Sequence, residues 1–163
     1  MKYTTKNITY MGILSALTIA LSTMDNAITV YLPISIPLGI KVGFASVPIM
    51  YTIFTNSYKV PLILTILKGL FSGFRGFTAM CNSLCGGLLS LAIMLLLYKK
   101  TKLSYSSISV FGGIFNNVGQ LISAIVILQS PNIAVFYLPI MVLCGSISGL
   151  VMGMVVSNVK KKL

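Results

Sequence analysis

The chain has 163 residues, of which 56% are hydrophobic and only 8% charged, and its formal charge is +11 with Asp25 as the single acid and no histidine. That excludes an ordinary soluble domain, whose charged fraction is about 25%. It also leaves no carboxylate pair and no histidine for general acid–base catalysis.

The apolar runs predict an all-α integral membrane protein, a single transmembrane domain over residues 1–163 with six helices. The first span is expected at Ile8–Met24. Lys2 and Lys6 before it resemble the start of a signal peptide, but further spans follow, so a retained helix is expected. Gly12, Ala16 and Ala20 recur every four residues on this span. Small residues at that spacing let helix backbones approach closely in lipid. The stretch Asp25–Ile40 holds Pro33, Pro37 and Gly39, which argue against a helix. It is largely apolar, so it is expected either to cover a site as a lid or to lie on lipid.

The second and third spans, Val42–Thr55 and Val60–Phe74, are short. The fourth is expected at Phe77–Tyr98, the fifth at Ser106–Leu128 and the sixth at Ile133–Ser157. No charged residue lies between Lys102 and Lys160, room for two spans of roughly 20 residues each. Gly145, Gly149 and Gly153 form a second small-residue stripe, suited to internal packing or to docking.

With the N-terminus in the cytoplasm, nine of the twelve cations fall at cytoplasmic ends. The positive-inside rule then places both termini inside and calls for an even number of spans. These positions read as topology signals. Nucleic-acid binding would need a solvated basic face and is not expected.

Lys68 departs from that pattern. It lies nine residues past Lys59, about 13 Å along a helix at ~1.5 Å per residue. That is near the middle of an apolar core roughly 30 Å thick. Ionisable residues at such depth face a bundle interior or a water cavity and mark a binding site or a path. Ser72 and Arg75 follow at i+4 and i+7, on the same helical face. Lys41 and Arg75 sit at outer ends. A second polar group, Gly112-Gly-Ile-Phe-Asn-Asn-Val-Gly-Gln120, carries Asn116, Asn117 and Gln120, with Ser123 extending it. The candidate substrate-binding set is therefore Lys41, Lys68, Ser72, Arg75, Asn82, Asn116, Asn117 and Gln120. One acid cannot neutralise Lys41, Lys68 and Arg75, so an anionic ligand is the natural counter-ion.

Cys81 and Cys85 lie one helical turn apart, but zinc would lack further ligands, so no metal is expected. There is no acidic cluster for magnesium and no Walker-type phosphate loop, so no cofactor is expected and any ATP hydrolysis would belong to another chain.

Several segments carry a family resemblance. They are Gly39-Ile-Lys-Val-Gly-Phe-Ala45 after a proline-rich loop, Gly86-Gly-Leu-Leu-Ser90, Asn116-Asn-Val-Gly-Gln-Leu121 and Tyr137-Leu-Pro139, with a cation in the short third helix. Together they resemble the Gx transporter family, also labelled heptaprenyl diphosphate synthase component I. That family is similar to the substrate-binding S components of energy-coupling-factor (ECF) transporters. Phe115 stands where the family often has His, and Lys68 where Arg is common.

The resemblance implies a non-enzymatic six-helix S-component-like subunit that captures a small anionic or amphipathic metabolite from outside. It implies docking through Gly12, Ala16 and Ala20 onto a membrane coupling subunit served by two cytoplasmic ATPases. Two other readings stay open: a membrane accessory of prenyl-diphosphate or quinone synthesis, and a membrane subunit of an extracellular flavin or electron-transfer system.

Overall fold

The computed structural model describes residues 5–31, 43–55, 58–130 and 132–162. Six α-helices appear among them, with no strand. They are α1 Thr5–Tyr31, α2 Val47–Phe54, α3 Lys59–Ser72, α4 Phe77–Lys100, α5 Tyr105–Leu128 and α6 Asn132–Lys162. Short 3₁₀ turns at Phe44–Ser46 and Gly73–Arg75 precede α2 and follow α3.

Local chemistry sets several of these boundaries. Pro48 and Pro61 sit in the first turns of α2 and α3, where no intrahelical N–H bond is lost. Ser104 caps α5 by accepting the Ser107 N–H at 3.2 Å. Gln129 closes α5 in the left-handed conformation, at φ 50°. Pro139 lies inside α6 without ending it.

Four helices are long and apolar enough to cross a membrane: α1, α4, α5 and α6. With 8 residues, α2 is about 12 Å long, and α3 with 14 residues about 21 Å, both short of a roughly 30 Å core. The fold is an all-α membrane bundle in which α2 and α3 are short elements. The first helix differs from expectation. It continues through Tyr31, so Asp25 lies in the helix and not in the loop. No proline or glycine intervenes between Asp25 and Tyr31 to stop it. The proline-rich stretch 32–42, read as a candidate lid, and Lys41 with it, lie outside the described residues.

The outside is apolar and the inside partly polar, the reverse of a soluble bundle. Val126, Leu143 and Ile147 are 70%, 65% and 66% exposed, as side chains facing lipid would be. The apolar interior gathers Met50, Ile53, Phe54, Leu64, Met94, Ile108, Met152 and Val156.

Close backbone approach joins α4, α5 and α6. A methyl group on Gly149 would stand 2.5 Å from the Ser109 carbonyl oxygen, and one on Gly119 would stand 2.8 Å from that of Cys85. The stripe Gly145, Gly149 and Gly153 is thus packed onto α5. Beyond Gly153 on the same seam the Lys160 ammonium donates to the Phe54 carbonyl at 2.7 Å and to the Tyr105 hydroxyl at 2.9 Å. This ties α6 to the ends of α2 and α5.

Candidate functional site

The inner face of α1 is polar. Leu14, Thr18, Ser22 and Asp25 are all buried on it, at i, i+4, i+8 and i+11. Gly12, Ala16 and Ala20 are exposed on nearly the opposite face, and a methyl group added at Gly12 would meet nothing within 4 Å. The small-residue stripe of α1 therefore points away from the bundle, whereas that of α6 is consumed by packing.

Asp25 is 1% exposed, and both its oxygens are engaged. Oδ1 accepts the backbone N–H groups of Gly43 and Phe44 at 3.1 and 3.0 Å. Oδ2 accepts that of Ala45 at 3.1 Å. Gly43 has φ 90°, a conformation that glycine adopts without strain. Three successive N–H groups therefore converge on the only carboxylate in the chain. They open the helical run from Phe44 to Phe54, where free donors and the helix dipole favour negative charge.

Lys68 enters the same region from α3. It is 8% exposed and lies within the electrostatic reach of Asp25 and Arg75. Among the described residues its ammonium makes no hydrogen bond or ion pair. Ser72, one turn further, donates to the Lys68 carbonyl at 3.0 Å. Arg75 is exposed in the 3₁₀ turn after α3.

The backbone that Asp25 holds also faces α4, α5 and α6. Gly43, Ser46, Ser90, Asn116, Ser148 and Gly149 contribute to the lining of a cavity of about 20 Å³. That is room for roughly one water-sized group, which needs about 10–15 Å³. Ser90 donates to the Gly112 carbonyl at 2.7 Å across α4 and α5. Gly86 lets the Asn116 backbone and the Gln120 side chain lie against α4. Asn82 is one turn from Gly86 on α4, and its Oδ1 is buried without a hydrogen-bond partner among the described residues, as is that of Asn26.

Asn116 thus shares a cavity with Gly43 and Ser46, while Lys68 lies within electrostatic reach of the carboxylate that holds Gly43. It uses Asn117 differently from its neighbour. The Asn117 amide donates to the Met141 carbonyl at 2.8 Å and packs on Gly145, joining α5 to α6. Sequence reasoning did not single out Asn26, Ser46 or Ser148, and it placed Ser90 in a family motif without giving it a role. For Ser22 and Asp25 a signal was present, since polar residues recur with Thr18 at helical spacing on an otherwise apolar span.

The sequence profile of a family described as heptaprenyl diphosphate synthase component I matches residues 14–159. The chain belongs to that family. The match runs from α1 to α6 and takes in the Asp25–Gly43 region, Lys68, Asn82 and Asn116. Comparisons with curated proteins and with solved structures give no match. No group of three or more metal-binding side chains occurs among the described residues.

Proposed function

We propose that this chain is the membrane-embedded, substrate-binding subunit of an ATP-driven uptake system of the ECF type. It takes a small anionic or amphipathic metabolite from outside and has no catalytic role of its own. The observation that carries this reading is Lys68. Lys68 is buried in an apolar bundle with no hydrogen bond or ion pair among the described residues, and with Arg75 it sets two positive charges within reach of one acidic side chain, Asp25, an excess that an anion would compensate. The exposed face of Gly12, Ala16 and Ala20 supports the second half of the reading, a helix surface for a membrane coupling subunit served by cytoplasmic ATPases. On this reading both termini are cytoplasmic.

The family description favours a second reading, an accessory to a prenyl-diphosphate synthase. Gentle purification from the native membrane separates the two. Co-purifying ATPases with a metabolite released in native mass spectrometry would support the uptake reading. A co-purifying prenyltransferase, with no ATPase, would replace it.

A further inference from the structure

Asp25 joins α1 to the start of the Phe44–Phe54 helical run. Its carboxylate fills the place where a free oxyanion would sit: the N–H groups of Gly43, Phe44 and Ala45, at 3.0–3.1 Å, at the start of a helical run. Lys68, nine-tenths buried and without a hydrogen bond among the described residues, lies within electrostatic reach of the same carboxylate. The three convergent backbone donors make an oxyanion site, a buried cation within electrostatic reach adds to its preference for negative charge, and the protein supplies the anion from its own α1.

We propose that Asp25 is a tethered anion that keeps small inorganic oxyanions out of this site and so determines specificity. A tethered carboxylate acts at a high effective concentration. Free phosphate at cellular levels cannot displace it. A ligand that binds must therefore meet Lys68 without taking the three N–H groups. This rests on reading Lys68 as an anion contact, but it makes a claim that does not depend on the identity of the metabolite. Removing the Asp25 carboxylate unmasks a site for a small oxyanion.

The test uses inorganic phosphate as the probe, on the full chain in lipid nanodiscs, with chloride at matched ionic strength as control. For the unaltered protein phosphate is expected to give only the small, non-saturating rise that an excluded salt gives a folded protein. Asp25→Ala is expected to melt lower in chloride and to recover with phosphate along a saturable curve, as binding to the folded state alone requires. Asp25→Ala combined with Lys68→Met is expected to lose at least tenfold in apparent phosphate affinity. If Asp25→Ala folds only in phosphate, the proposal stands. If it folds in neither salt, Asp25→Ser, which keeps a polar group on α1 and leaves the oxyanion place open, takes its place. Phosphate stabilisation of the unaltered protein equal to that of the variant would refute the proposal. So would a folded Ala or Ser variant that is indifferent to phosphate. The uptake reading fails by a different route, when no ATPase accompanies the purified chain.

Discussion

At the scale of single residues, adjacent positions with the same chemistry have different work. Asn116 lines the cavity between α2, α4, α5 and α6, whereas Asn117, a hundred degrees round the helix, bonds to α6. Replacing Asn117 by Leu should lower stability by about 1 kcal/mol, the usual scale of interhelical hydrogen bonds in lipid. Denaturant titration in mixed micelles would measure it, with ligand affinity unchanged. Lys68→Met should do the opposite. It removes a desolvated charge, so melting temperature should hold or rise while ligand-dependent stabilisation disappears. A Lys68→Met protein that is less stable yet shows the same ligand-induced shift would make Lys68 a strut. The polarity of Lys68 was legible in the sequence because depth makes a cation costly. The partners of Asp25 were not, because a carboxylate that reaches backbone N–H groups 18 to 20 residues away depends on how α1 and α2 meet.

At the scale of helices, two small-residue stripes that look alike in sequence face opposite ways. Gly149→Leu should break the contact of α6 with α5, since even a methyl group would stand 2.5 Å from the Ser109 carbonyl. Overpacking of this kind costs about 1–3 kcal/mol or more. Gly12→Leu has open space and should leave the isolated protein as stable as before. Its effect, with that of Ala16→Leu and Ala20→Leu, should appear only as weaker retention of the coupling partner in pull-downs. Loss of the melting transition in Gly12→Leu would place that face inside the fold. Helix identity was well read from hydropathy, and α4 and α5 begin within a residue of expectation. The end of α1 was misread. Asp25 and Asn26 look like a polar stop, but a buried acceptor of three N–H bonds needs no solvent and lets the helix run on.

At the scale of the whole molecule, charge and hydropathy set the expected orientation. Cysteines placed near Lys2 and Lys160 should require a membrane-permeant reagent for labelling in intact cells. Labelling of either end by an impermeant reagent would reverse the topology. The number of full crossings was less legible, because α2 and α3 are too short for composition alone to settle how they sit in a bilayer.

The placement of the polar cavity has a mechanical consequence. Glycine contacts make α4, α5 and α6 a close-packed slab, and the segment Gly43–Met50 lies on it across the cavity. The groups along that boundary include Ser46, Ser90, Asn116 and Ser148, which water can solvate at little cost. At the opposite end the Phe54 and Tyr105 rings lie 4.6 Å apart and Lys160 bonds to both residues, which holds that end together. A cysteine at Ser46 or Ser148 should therefore react with a small water-soluble thiol reagent faster than one at Thr65, buried against α4. The bundle has a parting line, wettable at the Asp25 end and pinned at the Lys160 end by the ammonium that bridges Phe54 and Tyr105, so thermal motion would open it as a wedge and not as a cleft of even width.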